Sequence, residues 1–136
     1  MLSFLAPLIN STGGRAALRN TRTGAIVSDQ LIPALDSASR RTGLLKHNGL
    51  APGEAMVIAP TSAIHTFFMR FPIDVVFVNR TGDVVKICKA VNPWRIAWAW
   101  RAHAVVEAAA GTIASGPVAV GDRLVVTIPR EQAAGD

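Results

Sequence analysis

Ile64-His65-Thr66-Phe67-Phe68-Met69-Arg70-Phe71-Pro72-Ile73-Asp74-Val75-Val76-Phe77-Val78 carries the strongest structural signal in the chain. It is the densest apolar segment of the chain and holds four of its five phenylalanines. Pro72 divides it into an extended approach, His65 to Phe71, and a core strand, Ile73 to Val78. Val75 to Val78 is apolar at every position, the pattern of a central strand covered on both faces. His65, Arg70 and Asp74 stand in this apolar company. Such groups must pair with one another and with backbone, or lie at a surface where something binds.

The β pattern continues on both sides. Met56-Val57-Ile58 precedes the stretch, and residues 84–91 follow it after a loop over 79–83 in which Gly82 supplies a positive φ. Residues 16–20 and 25–28 read as a hairpin around Gly24, while 104–107 and 123–128 add two further strands. Pro60, Pro72, Pro93, Gly116 and Gly121 punctuate the series at sandwich spacing rather than in a βαβ repeat. One helix is expected over Ser37 to Thr42, with Asp36 as N-cap and Gly43 as its stop. So short a helix needs to dock, through Leu35, Ala38 and Leu44. The expected fold is a mainly β, single-domain sandwich or barrel-like structure with one short helix. Residues 1–14 are expected to form an N-terminal extension, 15–130 the β-rich domain and 131–136 a frayed tail.

The 136 residues suit one domain, and an apolar fraction of 50% with 17% charged residues is the reverse of a disordered composition. The net charge is +5, but no recognition helix, aromatic RNA-binding strand or zinc-finger spacing accompanies it, which argues against nucleic acid as a partner. A single cysteine, Cys88, rules out an intramolecular disulfide and any multi-cysteine metal site, and its strand context suggests a small buried hydrophobe. The first nine residues are apolar but lack a basic start and are interrupted by Pro7. A degenerate targeting segment aside, they suggest neither a secretory signal nor a membrane span, and a soluble cytoplasmic protein is the expectation.

From Trp94 to His103 the chain alternates, placing Trp94, Ile96, Trp98 and Trp100 on one face of an extended strand. We read these indoles as a lid over an open end of the core. The competing readings are a recognition surface and an oligomer interface through Trp94, Trp98 and Trp100.

His65, Asp74 and Glu107 are the ionisable trio that a β fold could gather. No nucleophile elbow, His-Glu-x-x-His helix or phosphate-binding glycine loop occurs. Asp74 and Glu107 are therefore expected to be structural, with Arg70 neutralising a buried carboxylate, and Asp122 to serve a turn by accepting backbone N–H groups.

The ordered set Arg41-Thr42-Gly43-Leu44-Leu45, Gly53-Glu54-Ala55-Met56-Val57-Ile58, His65 to Phe77, Val105-Val106-Glu107-Ala108-Ala109-Ala110-Gly111 and Gly121-Asp122 resembles the domain of unknown function 192 family over residues 16–128. Leu45 stands where that family commonly has Met, and Ala55 where it often has Gly. The central motif is similar to the variant His-Thr-x-x-Met-Arg-x-Pro-Ile-Asp, followed by Pro93-Trp94-Arg95, rather than to the form with Lys-Asn-Thr. The resemblance implies a small, mainly β, sandwich-like domain with one short helix, and no established activity or cofactor.

The functional expectation is a small binding or accessory module for a small molecule or a protein, with no cofactor and no metal. Its surface would be built from His65, Thr66, Met69, Arg70, Trp94 and Arg95. The alternative is a hydrolase-like or metal-assisted enzyme using His65 with Asp74 or Glu107.

Overall fold

The computed structural model describes residues 3–9, 15–45, 47–113 and 116–128. The expected tail at 131–136 and part of the expected extension, 10–14, lie outside the described residues. Among the described residues ten strands and two short helices follow one another as α1 (Ala6–Ile9), β1 (Ala17–Asn20), β2 (Ile26–Ser28), β3 (Gln30–Ala34), α2 (Ser37–Thr42), β4 (Glu54–Ile58), β5 (Ala63–His65), β6 (Ile73–Val78), β7 (Val84–Val91), β8 (Ile96–Trp98), β9 (Ala104–Ala109) and β10 (Leu124–Thr127).

The protein is mainly β and sandwich-like. A five-stranded sheet in the order β3-β4-β9-β6-β7 is the centre. As the sequence predicts, β6 is interior and buried at all six positions. Alternation sends its side chains to two different cores. Val76 and Val78 face the three-stranded sheet β10-β1-β2, together with Val106 of β9, Leu18, Leu124 and Val126. Ile73, Val75 and Phe77 face the other way, with Met56, Ile58, Val105 and Met69. Leu5 and Leu8 of the N-terminal segment are buried in the first core. The sequence pattern predicts no strand at β3, which runs parallel to β4 and carries Pro33. It forms one edge of the central sheet, where a residue without an N–H is tolerated. The other edge is β7, which carries Lys86 and Lys89.

Helix α2 has the expected caps. Asp36 accepts a hydrogen bond from the Ser39 N–H at 2.7 Å, and the Ser39 hydroxyl is aligned with the Asp36 N–H in return. The docking differs from expectation, because no residue of α2 is buried and Ala38 is exposed. Leu44, just past the helix, is the anchor. Arg40 adds a strap by donating from Nη1 to the Pro60 carbonyl at 3.0 Å. At the 79–83 loop Gly82 has φ +97°, and a side chain there would collide with the Leu124 carbonyl oxygen.

The tryptophans do not form the expected lid. Only Ile96–Trp98 is a strand, paired with β5 in the register Ala63↔Trp98, Ile64↔Ala97 and His65↔Ile96. This ribbon turns Ile64 and Ala97 toward the core and leaves Ile96 and Trp98 outside. The small Ala97 fills the space that an indole was expected to take.

Candidate functional site

Strand β5, helix α2 and the end of β4 border a cleft of about 430 Å³. Arg40, Arg41 and Thr42 line it from the helix, Pro60 and Thr61 from the turn after β4, and Ile64 and His65 from β5. Leu44, Ile58 and Met69 supply apolar wall, and Glu107 of β9 reaches it from the central sheet.

Glu107 is 3% exposed, and no described residue donates a hydrogen bond to its carboxyl. Its place follows from strand alternation. Glu107 is opposite Val75 on β6 and opposite Met56 on β4, so it shares their face of the sheet. Burial pushes its carboxyl up to about 7, because the charged form is deprived of water without a compensating donor.

Asp74 is one register step away, opposite Ala108, and points to the other face. Its Oδ1 accepts from the Ala90 N–H at 2.8 Å, and its Oδ2 from the N–H groups of Gly111 and Ile113 at 3.0 and 2.8 Å. Asp74 thereby fixes the chain after β9. Asp122 accepts from the Ala119 N–H at 2.8 Å and from Asn20 Nδ2 at 2.7 Å. It also pairs with Arg22, whose guanidinium holds the Asp122 carboxyl well below the usual carboxylate range.

The six surface residues expected from the sequence separate into three groups. His65 and Met69 line the cleft. His65 is exposed, and its Nδ1 accepts from the Phe67 N–H at 3.3 Å. Thr66 is fully buried and ties two segments together: its hydroxyl donates to the Asn92 carbonyl at 2.7 Å and accepts from the Arg95 N–H at 2.8 Å. Arg70, Trp94 and Arg95 are exposed and outside the cleft lining. Arg70 donates to Asn48 Oδ1, so the buried carboxylate expected as its partner is replaced by a surface amide. Trp94 packs against Phe68 and Phe67, with ring centroids 4.6 and 5.8 Å away.

Arg40, Arg41 and Thr61 belong to the cleft and were not expected there. They come from α2 and the turn after β4, whereas Glu107 comes from β9, so the cleft is assembled only by the tertiary fold. Among the described residues no three His, Cys, Asp or Glu side chains gather to hold a metal ion. No described helix is long and apolar enough to cross a membrane.

Fold and cleft define a class: a small β-sandwich domain in which a buried carboxyl opens into a cleft with a basic rim. Within it, the chain belongs to the domain of unknown function 192 family, described as Uncharacterized ACR, whose profile matches residues 18–126. A UPF0127 protein of Pyrococcus furiosus is 41% identical over 64 residues, 46% of this chain. The chain spans about half the length of that relative, 54%. Two crystal structures share the fold with a TM-score of 0.69 each. One is of a candidate transcription regulator from Sinorhizobium meliloti, 24% identical, covering 81% of this chain and 90% of its own. The other is of a protein of unknown function from Novosphingobium aromaticivorans, 21% identical, covering 85% and 88%.

Proposed function

We propose that this protein is a small-molecule-binding module whose ligand enters the cleft beside α2 and presents a hydrogen-bond donor to Glu107. The observation that carries the reading is a carboxyl almost completely removed from water with no described protein donor. Such a group is costly unless something in the cleft bonds to it. The volume falls within the range of about 300–1,000 Å³ usual for small-ligand sites. The rim supports a ligand with two chemically different ends. Arg40 and Arg41 suit an anionic group, and Glu107 suits an ammonium, amide or hydroxyl donor. Short amino and hydroxy acids have this pairing.

The test is a thermal-unfolding panel of α-amino acids, hydroxy acids and sugar phosphates against the wild-type chain, Glu107→Leu and Arg41→Ala. At least one amino or hydroxy acid should raise the wild-type midpoint, and both substitutions should remove that rise. A panel with no stabilising compound, or equal stabilisation of Glu107→Leu, rejects the reading.

A second reading, acid–base catalysis by His65 with Glu107, is favoured by one observation: both residues line the same cleft. A carboxyl that titrates close to neutral pH suits proton transfer. Asp74 drops out of this scheme, because it faces away and is occupied by three backbone donors. Turnover of ester or amide substrates that is lost in both Glu107→Gln and His65→Ala would favour catalysis over binding alone.

A further inference from the structure

The exposed aromatic arm lies outside the cleft's chemistry. Phe68 is 70% exposed, Trp94 55%, Ile96 59%, Trp98 61% and Trp100 81%. Five large apolar side chains this open, clustered along one ribbon and its flanking turn, form a patch that a soluble surface does not normally present. The backbone holds two of them out at a cost, since Phe68 and Trp94 occupy the left-handed region at φ +65° and +68°.

Cations accompany the rings. Lys86 Nζ lies 5.6 Å from the Trp98 ring and donates to the Trp98 carbonyl at 2.8 Å, and the Arg101 guanidinium lies 5.1 Å from the Trp100 ring. These four residues, with Val85 and Ala99, line a shallow recess of about 290 Å³. From Val84 to Val106 the chain has four basic residues, Lys86, Lys89, Arg95 and Arg101, and no acidic one.

We propose that this arm docks on an anionic lipid bilayer, with the indoles of Trp98 and Trp100 at headgroup depth and Lys86 and Arg101 on the lipid phosphates. Indole is the side chain suited to that depth, having an apolar body and a polar N–H. Neighbouring Lys and Arg add attraction to an anionic leaflet. The charge pattern disfavours a second copy of this chain, because a two-fold contact through this patch would set like charges against each other. It also differs from a single-strand stacking groove, since Ile96 stands between the protruding rings where such a groove would present a further π face.

The three tryptophans of the chain all lie in this arm, so intrinsic fluorescence reports on it alone. The experiment mixes the full chain with vesicles of phosphatidylcholine or of phosphatidylglycerol and reads emission and co-sedimentation. The expected result is a blue shift and co-sedimentation with phosphatidylglycerol, weakened by salt and small with phosphatidylcholine. Trp98→Ser combined with Trp100→Ser, and separately Lys86→Gln combined with Arg101→Gln, should each weaken partitioning by about tenfold or more. Both should unfold at the wild-type temperature, because these side chains are exposed. Absence of co-sedimentation with phosphatidylglycerol overturns the proposal, as does partitioning unchanged in both double variants. A blue shift produced by concentrating the protein, by an acidic polypeptide or by a single-stranded oligonucleotide, but not by vesicles, assigns the arm to another occupant.

Discussion

Asp74 and Glu107 stand on neighbouring strands, one register step apart, and both are almost fully buried, yet they are opposites in their surroundings. Asp74 has three backbone N–H donors. Glu107 has none among the described residues and opens toward a cleft. The difference comes from the alternation of a strand pair: one step along the ladder moves a side chain from the sandwich core to the cleft side. Burial alone therefore does not tell whether the protein itself satisfies a carboxylate. The number of donors around it does, because protein that invests three N–H groups in a carboxylate leaves it little capacity for a ligand.

The largest test of the contrast is Asp74→Ala. It strands three buried or half-buried N–H groups and should cost about 4 kcal/mol of folding stability in urea unfolding. A cost below about 1 kcal/mol would mean that those bonds do not hold the chain after β9.

Next comes the titration of Glu107. Its folded-state value is about 7 against an ordinary value of 4.5, so as pH rises the unfolded chain releases this proton before the folded one. The unfolded state then binds fewer protons, and stability falls with rising pH across that window. The contribution is fully present below 4.5, declines between 4.5 and about 7, and is absent above. The stability difference between the wild-type chain and Glu107→Gln should change by about 3 kcal/mol over the window. A pH-independent difference would make Glu107 as well satisfied as Asp74.

Thr66→Val removes a neutral buried group. Its hydroxyl is buried but partnered on both sides, so its loss should cost about 1.5 kcal/mol and raise amide exchange at Trp94 and Arg95. An unchanged exchange pattern would relieve Thr66 of its role as a tie. Smallest of all, Trp98→Ser should alter chemical stability by no more than about 0.5 kcal/mol. A larger loss would mean that the indole packs in the fold after all.

The core strand was legible because its signal is local. Val75 to Val78 reads as doubly covered from its composition alone, and the caps at Asp36 and Gly43 from residue types at fixed spacing. The hairpin β1–β2 was legible for the same reason. Strand β3 was missed because Pro33 suggests a break unless the strand is known to lie at an edge. The tryptophan face was misplaced because alternation gives which residues share a side, not which side meets the core. Ala97 could be recognised as the inward residue only once β5 had paired with β8. The cleft was least legible. Glu107 and His65 were both singled out, but Arg40 and Arg41 share a cleft with them only in the folded chain, Glu107 lying more than sixty residues further on.

The two borders of the central sheet have a further consequence. Pro33 withdraws one donor from β3, while β7 carries Lys86 and Lys89 and is bent by a register shift and by Ala90 at φ +51°. A strand from another molecule would find neither border straight, fully donating and uncharged. A chain so rich in β-branched residues is in this way protected against growing into fibrils at the ends of its own sheet.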